Sequence, residues 1–261
     1  MNPLLYLKSR KPEILVRICL DKIFRSRIHN FDELSYLFKD KKGVEIGGPS
    51  KFFKNWGFMP LYKLSKKIDG CNFCNQTSWA KNINEGETYQ YTPGKYGHQY
   101  ICDGADVAII PKNNYDFVLS CNNLEHIANP LKAVSNWLNL LKSEGTIVLV
   151  LPRKQSNFDH KRTVTLFEHL LADYNNNIGE DDLTHVEEIL EQHDLKLDPL
   201  AGDFDNFKKR SYDNFNNRCL HNHVYDLPLL EQICAFFKLQ VVAKTSLTAD
   251  HVIVAKKGYA Q

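Results

Sequence analysis

The sequence predicts an α/β protein whose core is a doubly wound, mostly parallel sheet of seven strands. Two observations indicate this fold class. Short, continuous apolar runs such as 116–120 and 146–151 alternate with helical patterns, and such runs are typical of strands covered on both faces. A polar segment at 153–226, rich in histidine and aspartate, interrupts the alternation, which resumes after it. The sequence therefore predicts an insertion between the fifth strand and the last helix.

The individual elements follow from local patterns. Residues 12–38 have apolar residues at near-helical spacing after Pro12, a residue that suits a first helical turn. Residues 70–98 show no sustained period, which predicts a long ordered loop of the kind that is usually functional or inserted. We therefore divide the chain into a helical extension at 1–41 and one domain at 42–261. The predicted strands are 44–46, 61–68, 99–102, 116–120, 146–151, 239–244 and 251–256, and the predicted helices of the domain are 130–141, 163–174, 182–193 and 227–237.

The composition is typical of a globular protein in a reducing compartment. The chain is 43% hydrophobic and 25% charged, and no apolar run reaches the roughly 18 residues of a membrane span. The N-terminus has no signal-peptide pattern, and the seven scattered cysteines argue against a disulfide framework. We therefore expect a cytoplasmic protein. Cys71 and Cys74 are expected to be free thiols, because no second cysteine pair completes a zinc ribbon.

Charge is unevenly distributed although the net charge is only +2. Residues 1–67 carry 15 Lys/Arg against 6 Asp/Glu, whereas residues 158–226 carry 7 against 15. The two regions form either solvated faces of opposite sign or, at the N-terminus, a surface that attracts a membrane or a phosphate-bearing substrate. The basic N-terminal helix packs across a sheet edge or makes peripheral contact with a membrane.

The turn after the first predicted strand is the first candidate ligand site. It reads Val44-Glu45-Ile46-Gly47-Gly48-Pro49, and glycine lets the backbone approach a ligand closely. A dinucleotide site would require Gly-x-Gly-x-x-Gly, which is absent, and this argues against a nicotinamide-dependent oxidoreductase. A carboxylate beside the turn repels phosphate and suits a cationic ligand. Asp103-Gly104-Ala105-Asp106, at another strand end, offers a carboxylate to an adenine amino group.

Two further motifs complete the pattern: Tyr115-Asp116-Phe117-Val118 running to Leu124-Glu125-His126, and Lys142-Ser143-Glu144-Gly145. Over residues 42–152 the set resembles the class I methyltransferases that use S-adenosylmethionine (SAM). The resemblance implies a Rossmann-like sheet with an antiparallel ending at 239–256, and SAM as the cofactor. It also implies a set of cofactor-binding residues: Glu45, Gly47 and Gly48 at the methionine end, Asp103, Ala105 and Asp106 at adenine, Cys121 and Asn122 on the floor, and Asp69 as the best candidate for the ribose carboxylate.

The insertion contains six of the ten histidines. Together with neighbouring carboxylates they could serve as a general base with an orienting acid, or bind a divalent metal ion. Surface or core hydrogen bonding is the alternative for any single histidine. The candidate bases are His126, His160, His221 and His223, and the candidate metal ligands are His160, His185, His221 and His223. Arg162 and Arg218 are expected to hold an anionic substrate group, and Tyr174 is expected to form a wall of the site.

Methyl transfer to a hydroxyl requires removal of its proton, so these histidines favour O-methylation of a small-molecule acceptor or a sugar- or nucleotide-linked one. Segments such as 158–163, 180–185 and 218–224 resemble a bacterial branch of methyltransferases associated with surface-polysaccharide biosynthesis. Alternatives are N-methylation, a catalytically silent SAM-binding scaffold, or nucleic-acid methylation. The last is disfavoured because there is no Asn/Asp-Pro-Pro-Tyr/Phe element.

Overall fold

A computed structural model of the chain describes residues 30–77 and 82–258, together with Pro12, Glu13, Leu15, Val16, Leu20 and Ile28. Its strands are β1 (Lys42–Ile46), β2 (Lys67–Asn72), β3 (Gly86–Thr92), β4 (Lys95–Ile101), β5 (Tyr115–Cys121), β6 (Leu141–Pro152), β7 (Gln240–Ser246) and β8 (Asp250–Lys256). They form one sheet in the order β3-β4-β2-β1-β5-β6-β8-β7. Strands β3 and β8 run against the others. The predicted doubly wound, mostly parallel α/β fold is confirmed.

Helices flank the sheet and fill the insertion. They are α1 (Phe31–Leu34), α2 (Leu61–Leu64), α3 (Pro130–Leu140), α4 (Phe167–Asn175), α5 (Val186–Gln192), α6 (Phe204–Tyr212), α7 (Asn214–Asn217) and α8 (Leu227–Phe236). Helices α3, α4, α5 and α8 confirm four predicted helices, with bounds that differ by a few residues. None of the helices in the described part of the chain has the length and apolar character needed to cross a bilayer.

Alternate residues of the central strands enter two separate cores. Val118 of β5 and Ile147 of β6 pack on one face with α3 and α8, whereas Phe117 and Val148 pack on the other. Successive side chains of a strand point to opposite faces, so a strand buried on both faces needs an unbroken apolar run. The continuous runs of the sequence therefore predicted these strands correctly.

The N-terminal segment packs against the second core. Described residues between Pro12 and Leu20 are helical, and Phe38 contacts the ring of Phe117 at 5.3 Å between centroids. The end of the N-terminal extension, at Phe38, therefore packs against the sheet. Most of the basic helix, for which membrane contact was the alternative to packing across a sheet edge, lies outside the described residues. The boundary at residue 41 stays a prediction.

The predictions for 61–98 need correction. Residues 61–64 are helical, and the second strand, β2, begins only at Lys67. The predicted loop contains β3, which pairs with β4 across a Pro93-Gly94 turn, so the sheet has eight strands instead of seven. Strand β3 has a period of two, with Tyr89 and Tyr91 buried. Such a short alternation at a sheet edge was too weak to be recognised among the surrounding polar residues.

Trp137 connects α3 to the loop that follows β4. Its side chain is fully buried, and its indole Nε1 donates a hydrogen bond of 2.7 Å to the carbonyl oxygen of Gly104. From the preceding residue on α3, Asn136 donates to the carbonyl oxygen of Ala105 at 2.7 Å. These bonds fix the turn that carries Asp103.

Replacing Trp137 by phenylalanine is expected to lower the free energy of unfolding by about 1–3 kcal/mol, because the Gly104 carbonyl loses its buried donor. Denaturant titration measures the change. Trp56 is 66% exposed, so Trp56→Phe should stay within about 0.5 kcal/mol of the parent. Equal effects of the two substitutions would contradict the assignment.

Candidate functional site

A cavity opens at the carboxyl ends of the central strands, where the chain order of the sheet reverses between β1 and β5. Ligands of open α/β sheets bind at this position. The cavity encloses about 410 Å³ of empty space, part of it open to solvent. Its lining residues are Ile46, Gly47, Cys71, Asn72, Phe73, Asp103, Gly104, Asn123, His126, Ile127, Glu180 and Arg218.

Gly47 forms the turn into the cavity, as the sequence predicted. Its φ is +81°, a backbone conformation that residues with a side chain rarely adopt. A Cβ at this position would lie 2.4 Å from the side-chain oxygen of Asn123. Glycine is therefore required by the conformation and by the close packing.

Glu45 lies outside the cavity lining, on the opposite face of the sheet from Ile46. Its carboxylate accepts hydrogen bonds of 2.7 Å from both Tyr62 and Tyr89 and one of 3.0 Å from the Ser50 backbone N–H. Burial raises the pKa of Glu45, and these donors partly offset the effect. Gly48 makes room for this network, because a Cβ there would lie 2.2 Å from the Tyr89 hydroxyl. In this structure Glu45 and Gly48 hold the turn and do not face the cavity.

Asp69 is also outside the cavity lining. It lies within β2, where its carboxylate accepts from the His98 backbone N–H and from the Tyr115 hydroxyl. Because β2 continues to Asn72, the strand end presents Asn72 and Phe73 to the cavity instead. The predicted strand 61–68 ends four residues before β2 does, so both residues were missed.

The turn after β4 presents Asp103, as predicted. Its Oδ1 accepts from the backbone N–H of Ala105 at 2.7 Å, which leaves Oδ2 on the cavity side of the turn. Ala105 is buried in the core and Asp106 is exposed, and neither lines the cavity. Asp103 is therefore the member of the predicted adenine group that the structure brings to the cavity.

The residues after β5 differ from the prediction by one position. Cys121 is buried on the opposite face of the sheet, and Asn122 is exposed with its backbone N–H bonded to Val150. Asn123 and His126 line the cavity instead. Successive side chains of β5 point to opposite faces of the sheet. Which of the following residues face the cavity therefore depends on where β5 ends, and the sequence did not give that end exactly.

Arg218 reaches across the mouth of the cavity from the insertion. Its guanidinium lies 2.9 Å from Asp103 Oδ2 and 2.5 Å from Glu180 Oε2, and it lies over the rings of Phe73 and Phe215. Burial raises the pKa of Glu180 to about 7, although Arg218 opposes this shift. The sequence assigned Arg218 to substrate, whereas here it joins the insertion to the cavity wall.

Beside the cavity lies the first histidine cluster, formed by Glu125, His126, His221 and Asp159. His221 Nδ1 is 2.5 Å from Asp159 Oδ2, and His126 Nδ1 is 2.9 Å from the carbonyl oxygen of Leu220. Because a carbonyl oxygen only accepts, His126 carries its proton on Nδ1. The Nε2 atoms of both imidazoles lie 4.0 Å from Glu125 Oε1, and the rings are 4.6 Å apart.

The members of this cluster are buried to a similar extent. Their pKa values differ because they have different partners. Burial raises the pKa of Glu125 to about 7, with His221 opposing, and lowers that of His126 to about 3. Burial also lowers the pKa of His221, but the neighbouring Asp159 carboxylate outweighs this effect and raises it overall. His221 is therefore the stronger base of the two histidines.

Other predicted site residues lie elsewhere. His160 is at the surface with Asp194, 2.9 Å away. Arg162 is fully buried and already bonded to Asp159, Glu188 and the backbone of 221–222, so it has no role at a substrate group. Tyr174 packs against the apolar core beside Phe236. These three side chains were predicted from residue type, which does not report burial.

His185 and His223 belong to a second histidine cluster, together with His169 and Asp173. The sequence grouped His185 and His223 with His160 and His221 as metal ligands, but the latter two do not join this cluster. His223 is buried with its Nε2 3.1 Å from the Ala128 carbonyl oxygen, so it is not placed to act as a base at the cavity.

The cysteines show no disulfide among the described residues. Cys71 and Cys74 are both free, as expected. The nearest sulfur described for Cys71 is that of Cys102, at 3.4 Å.

Comparison with known proteins agrees with the resemblance read from the sequence. A family model described as a methyltransferase domain matches residues 62–149. This match confirms the resemblance to the methyltransferases and supports methyl transfer as the activity, but it gives no support to the link with surface-polysaccharide biosynthesis. No curated protein is significantly similar in sequence.

Several solved structures are loosely similar. A SAM-dependent methyltransferase from Aquifex aeolicus has 11% identity over 98% of this chain and 99% of its own, with a TM-score of 0.46. One from Methanosarcina mazei has 13% identity over 90% and 100%, with a TM-score of 0.47. The Burkholderia thailandensis 1,6-didemethyltoxoflavin-N1-methyltransferase has 10% identity over 87% and 78%, with a TM-score of 0.44. These similarities are too weak to carry a functional argument.

Replacing Tyr89 by phenylalanine is expected to lower the free energy of unfolding by about 1–3 kcal/mol, because the buried Glu45 carboxylate loses a donor. Tyr96 is 50% exposed, and Tyr96→Phe serves as the control in the same denaturant titration. A stability of Tyr89→Phe equal to that of the control would argue against the network.

Proposed function

We propose that this chain, whose residues 62–149 match the methyltransferase domain, transfers the methyl group of SAM to a hydroxyl oxygen of a small-molecule or glycan acceptor. The cofactor part of the proposal is carried by one observation. Two amide atoms on residues that line the cavity, Asn72 Oδ1 and Asn123 Nδ2, are buried and have no hydrogen-bond partner among the described residues. Buried polar atoms are normally paired, so a ligand with both donors and acceptors fits this cavity.

The chemistry of the lining matches SAM. Ile46, Ile127 and Phe73 supply apolar surface for the adenine ring of SAM. Asp103 supplies a carboxylate for its amino group, and Asn72, at the end of β2, is placed for ribose hydroxyls. When bound, SAM supplies a methyl group on a sulfonium, whose transfer needs no activation by the protein.

The chain's own task is to position the acceptor and take up its proton. We assign the base to His221 Nε2, because its Nδ1–H donates to Asp159 and the lone pair is therefore on the nitrogen that faces Glu125 and His126. His221 lies behind the cavity lining, so the acceptor hydroxyl must reach it past His126. A histidine oriented by a buried carboxylate is a recurrent general base. His126, which lines the cavity with a fixed tautomer, is assigned to positioning the acceptor hydroxyl.

Bound SAM would supply the methyl group and leave as S-adenosylhomocysteine, and His221 Nε2 would take up the proton of the acceptor hydroxyl. Arg218 and the insertion cover the mouth of the cavity, and excluding water from it favours transfer to the intended acceptor. The alternatives are N-methylation, nucleic-acid methylation and a silent SAM-binding scaffold, and activity assays distinguish them. The scaffold would bind SAM but release no S-adenosylhomocysteine with any acceptor.

Asp103→Asn is expected to weaken S-adenosylhomocysteine binding by about 10- to 100-fold, since a hydrogen bond to a charged group contributes about 1.5–3 kcal/mol. Isothermal titration calorimetry measures the dissociation constant. Asp106→Asn is the matched control, because this nearby carboxylate is exposed and outside the cavity lining. If the parent protein gives no heat, the proposed cofactor is wrong. If both variants bind like the parent, the role of Asp103 is wrong.

His221→Asn is expected to lower kcat by roughly 10²- to 10⁴-fold, the usual contribution of a general base, while leaving the affinity for S-adenosylhomocysteine intact. The assay follows S-adenosylhomocysteine formation with an acceptor selected from a panel of hydroxyl compounds. His160→Asn, at the surface pair with Asp194, is the control and should retain the parent kcat. A fully active His221→Asn protein would exclude this residue as the base.

A further inference from the structure

The second histidine cluster joins three separate parts of the insertion. His169 and Asp173 lie one turn apart on α4, His185 directly precedes α5, and His223 lies in the segment between α7 and α8. One nitrogen or oxygen from each of the four side chains falls within 4.8 Å of all the others. None of the four lines the cavity proposed for the cofactor.

The spacing of the donor atoms matches that of a tetrahedral metal site. His169 Nε2 lies 3.2 Å from His185 Nε2 and 3.4 Å from Asp173 Oδ2, and His223 Nε2 lies 3.7 Å from the same oxygen. In a tetrahedral zinc site with bonds of about 2.1 Å, neighbouring ligand atoms are about 3.4 Å apart. The three measured separations lie on both sides of this value.

Hydrogen bonding alone leaves the cluster unsatisfied. Asp173 Oδ2 and His223 Nδ1 are buried without a hydrogen-bond partner among the described residues. Two neutral imidazoles whose Nε2 atoms face each other share at most one proton between those atoms. A cation that accepts lone pairs from Asp173 Oδ2 and from the two facing Nε2 atoms of His169 and His185 removes the deficit at those three atoms, and imidazole and carboxylate together suit zinc.

We propose that His169, Asp173, His185 and His223 bind one Zn²⁺ ion. Four protein ligands complete the tetrahedral shell, so the site is structural and leaves no position for substrate. It shares only His185 and His223 with the ligand set expected from the sequence. On binding, the ring proton of His223 moves from Nε2 to Nδ1, and Nε2 exchanges its hydrogen bond to the Ala128 carbonyl oxygen for the metal.

The site would fasten the insertion in the position that the proposed active site requires. His223 is two residues from His221, and the same segment contains Arg218. Crosslinking this segment to α4 and to the start of α5 restricts its movement relative to the cavity. The zinc ion therefore acts on the active site through position and not through chemistry.

The test uses full-length protein prepared without a metal-binding tag. Mass spectrometry of the metal content should find about one zinc per chain, and a chelator should lower the melting temperature. Cobalt substitution should give the intense visible absorption of a tetrahedral site. His169→Asn is the main variant, because this ligand has a side chain that is 42% exposed and its replacement spares the core. Its zinc affinity should fall by more than about 100-fold, since even second-shell partners contribute about 10- to 100-fold.

Two further variants make the result decisive. His185→Asn should reproduce the loss of zinc, whereas His160→Asn, a histidine of the same insertion outside the cluster, should retain it. His126→Asn tests the rival group of Glu125, His126 and His221, which also holds three donor atoms close together. Loss of zinc in His126→Asn but not in His169→Asn would move the metal to the cavity and overturn the proposal.

Absence of stoichiometric zinc from the parent protein would overturn the proposal as well. Calorimetry with S-adenosylhomocysteine on the same preparations separates this outcome from failure of the proposed function. A chain that binds zinc but not S-adenosylhomocysteine keeps the metal site and loses the methyltransferase assignment. Circular dichroism of each variant establishes that a loss of zinc is not a loss of fold.

Discussion

The buried guanidinium of Arg162 is the interaction on which the arrangement of the site depends. It bonds to Asp159 at 3.1 Å, to Glu188 at 3.3 Å, and to the backbone carbonyls of His221 and Asn222 at 2.6 and 3.1 Å. A buried charge is tolerated only when it is paired and its donors are satisfied. Because these partners come from three parts of the insertion, the charge can be satisfied only when those parts are assembled correctly.

This constraint explains why one short segment, residues 218–223, contributes several side chains to the site. This segment is called the strip below. The backbone of 221–222 is held by Arg162 on one side, and on the other the Asn222 side chain bonds to the carbonyl oxygen of His126. The strip therefore lies along the loop after β5, with His221 beside Asp159 and Arg218 at the cavity mouth. The sheet supplies the floor of the cavity, and the insertion supplies its cover and its basic groups.

The carboxylates near the cavity show how pairing decides function. Glu45 is satisfied by two tyrosine hydroxyls and a backbone N–H, and it holds the glycine turn. Both oxygens of Glu125 are buried without a hydrogen-bond partner among the described residues, and burial raises its pKa to about 7. A buried carboxyl group with this pKa beside two imidazoles is a feature of sites that move protons or bind cations. The same residue type is thus structural in one place and a functional candidate in the other.

The sequence by itself determined the central strands of the sheet, the glycine turn at Gly47, the turn at Asp103 and the histidine-rich composition of residues 153–226. These are local properties, since a strand buried on both faces is mainly apolar, and the turn at Gly47 has a positive φ with no room for a Cβ. Only the tertiary structure decided which side chains meet. The pairing of Val44 with Asp69 places the end of β2 at Asn72, and packing brings His169 to His223 across 54 residues of sequence (223 − 169). The hydrophobic periodicity of a segment indicates which of its own residues are buried. Which distant side chains meet depends on how whole helices and strands pack.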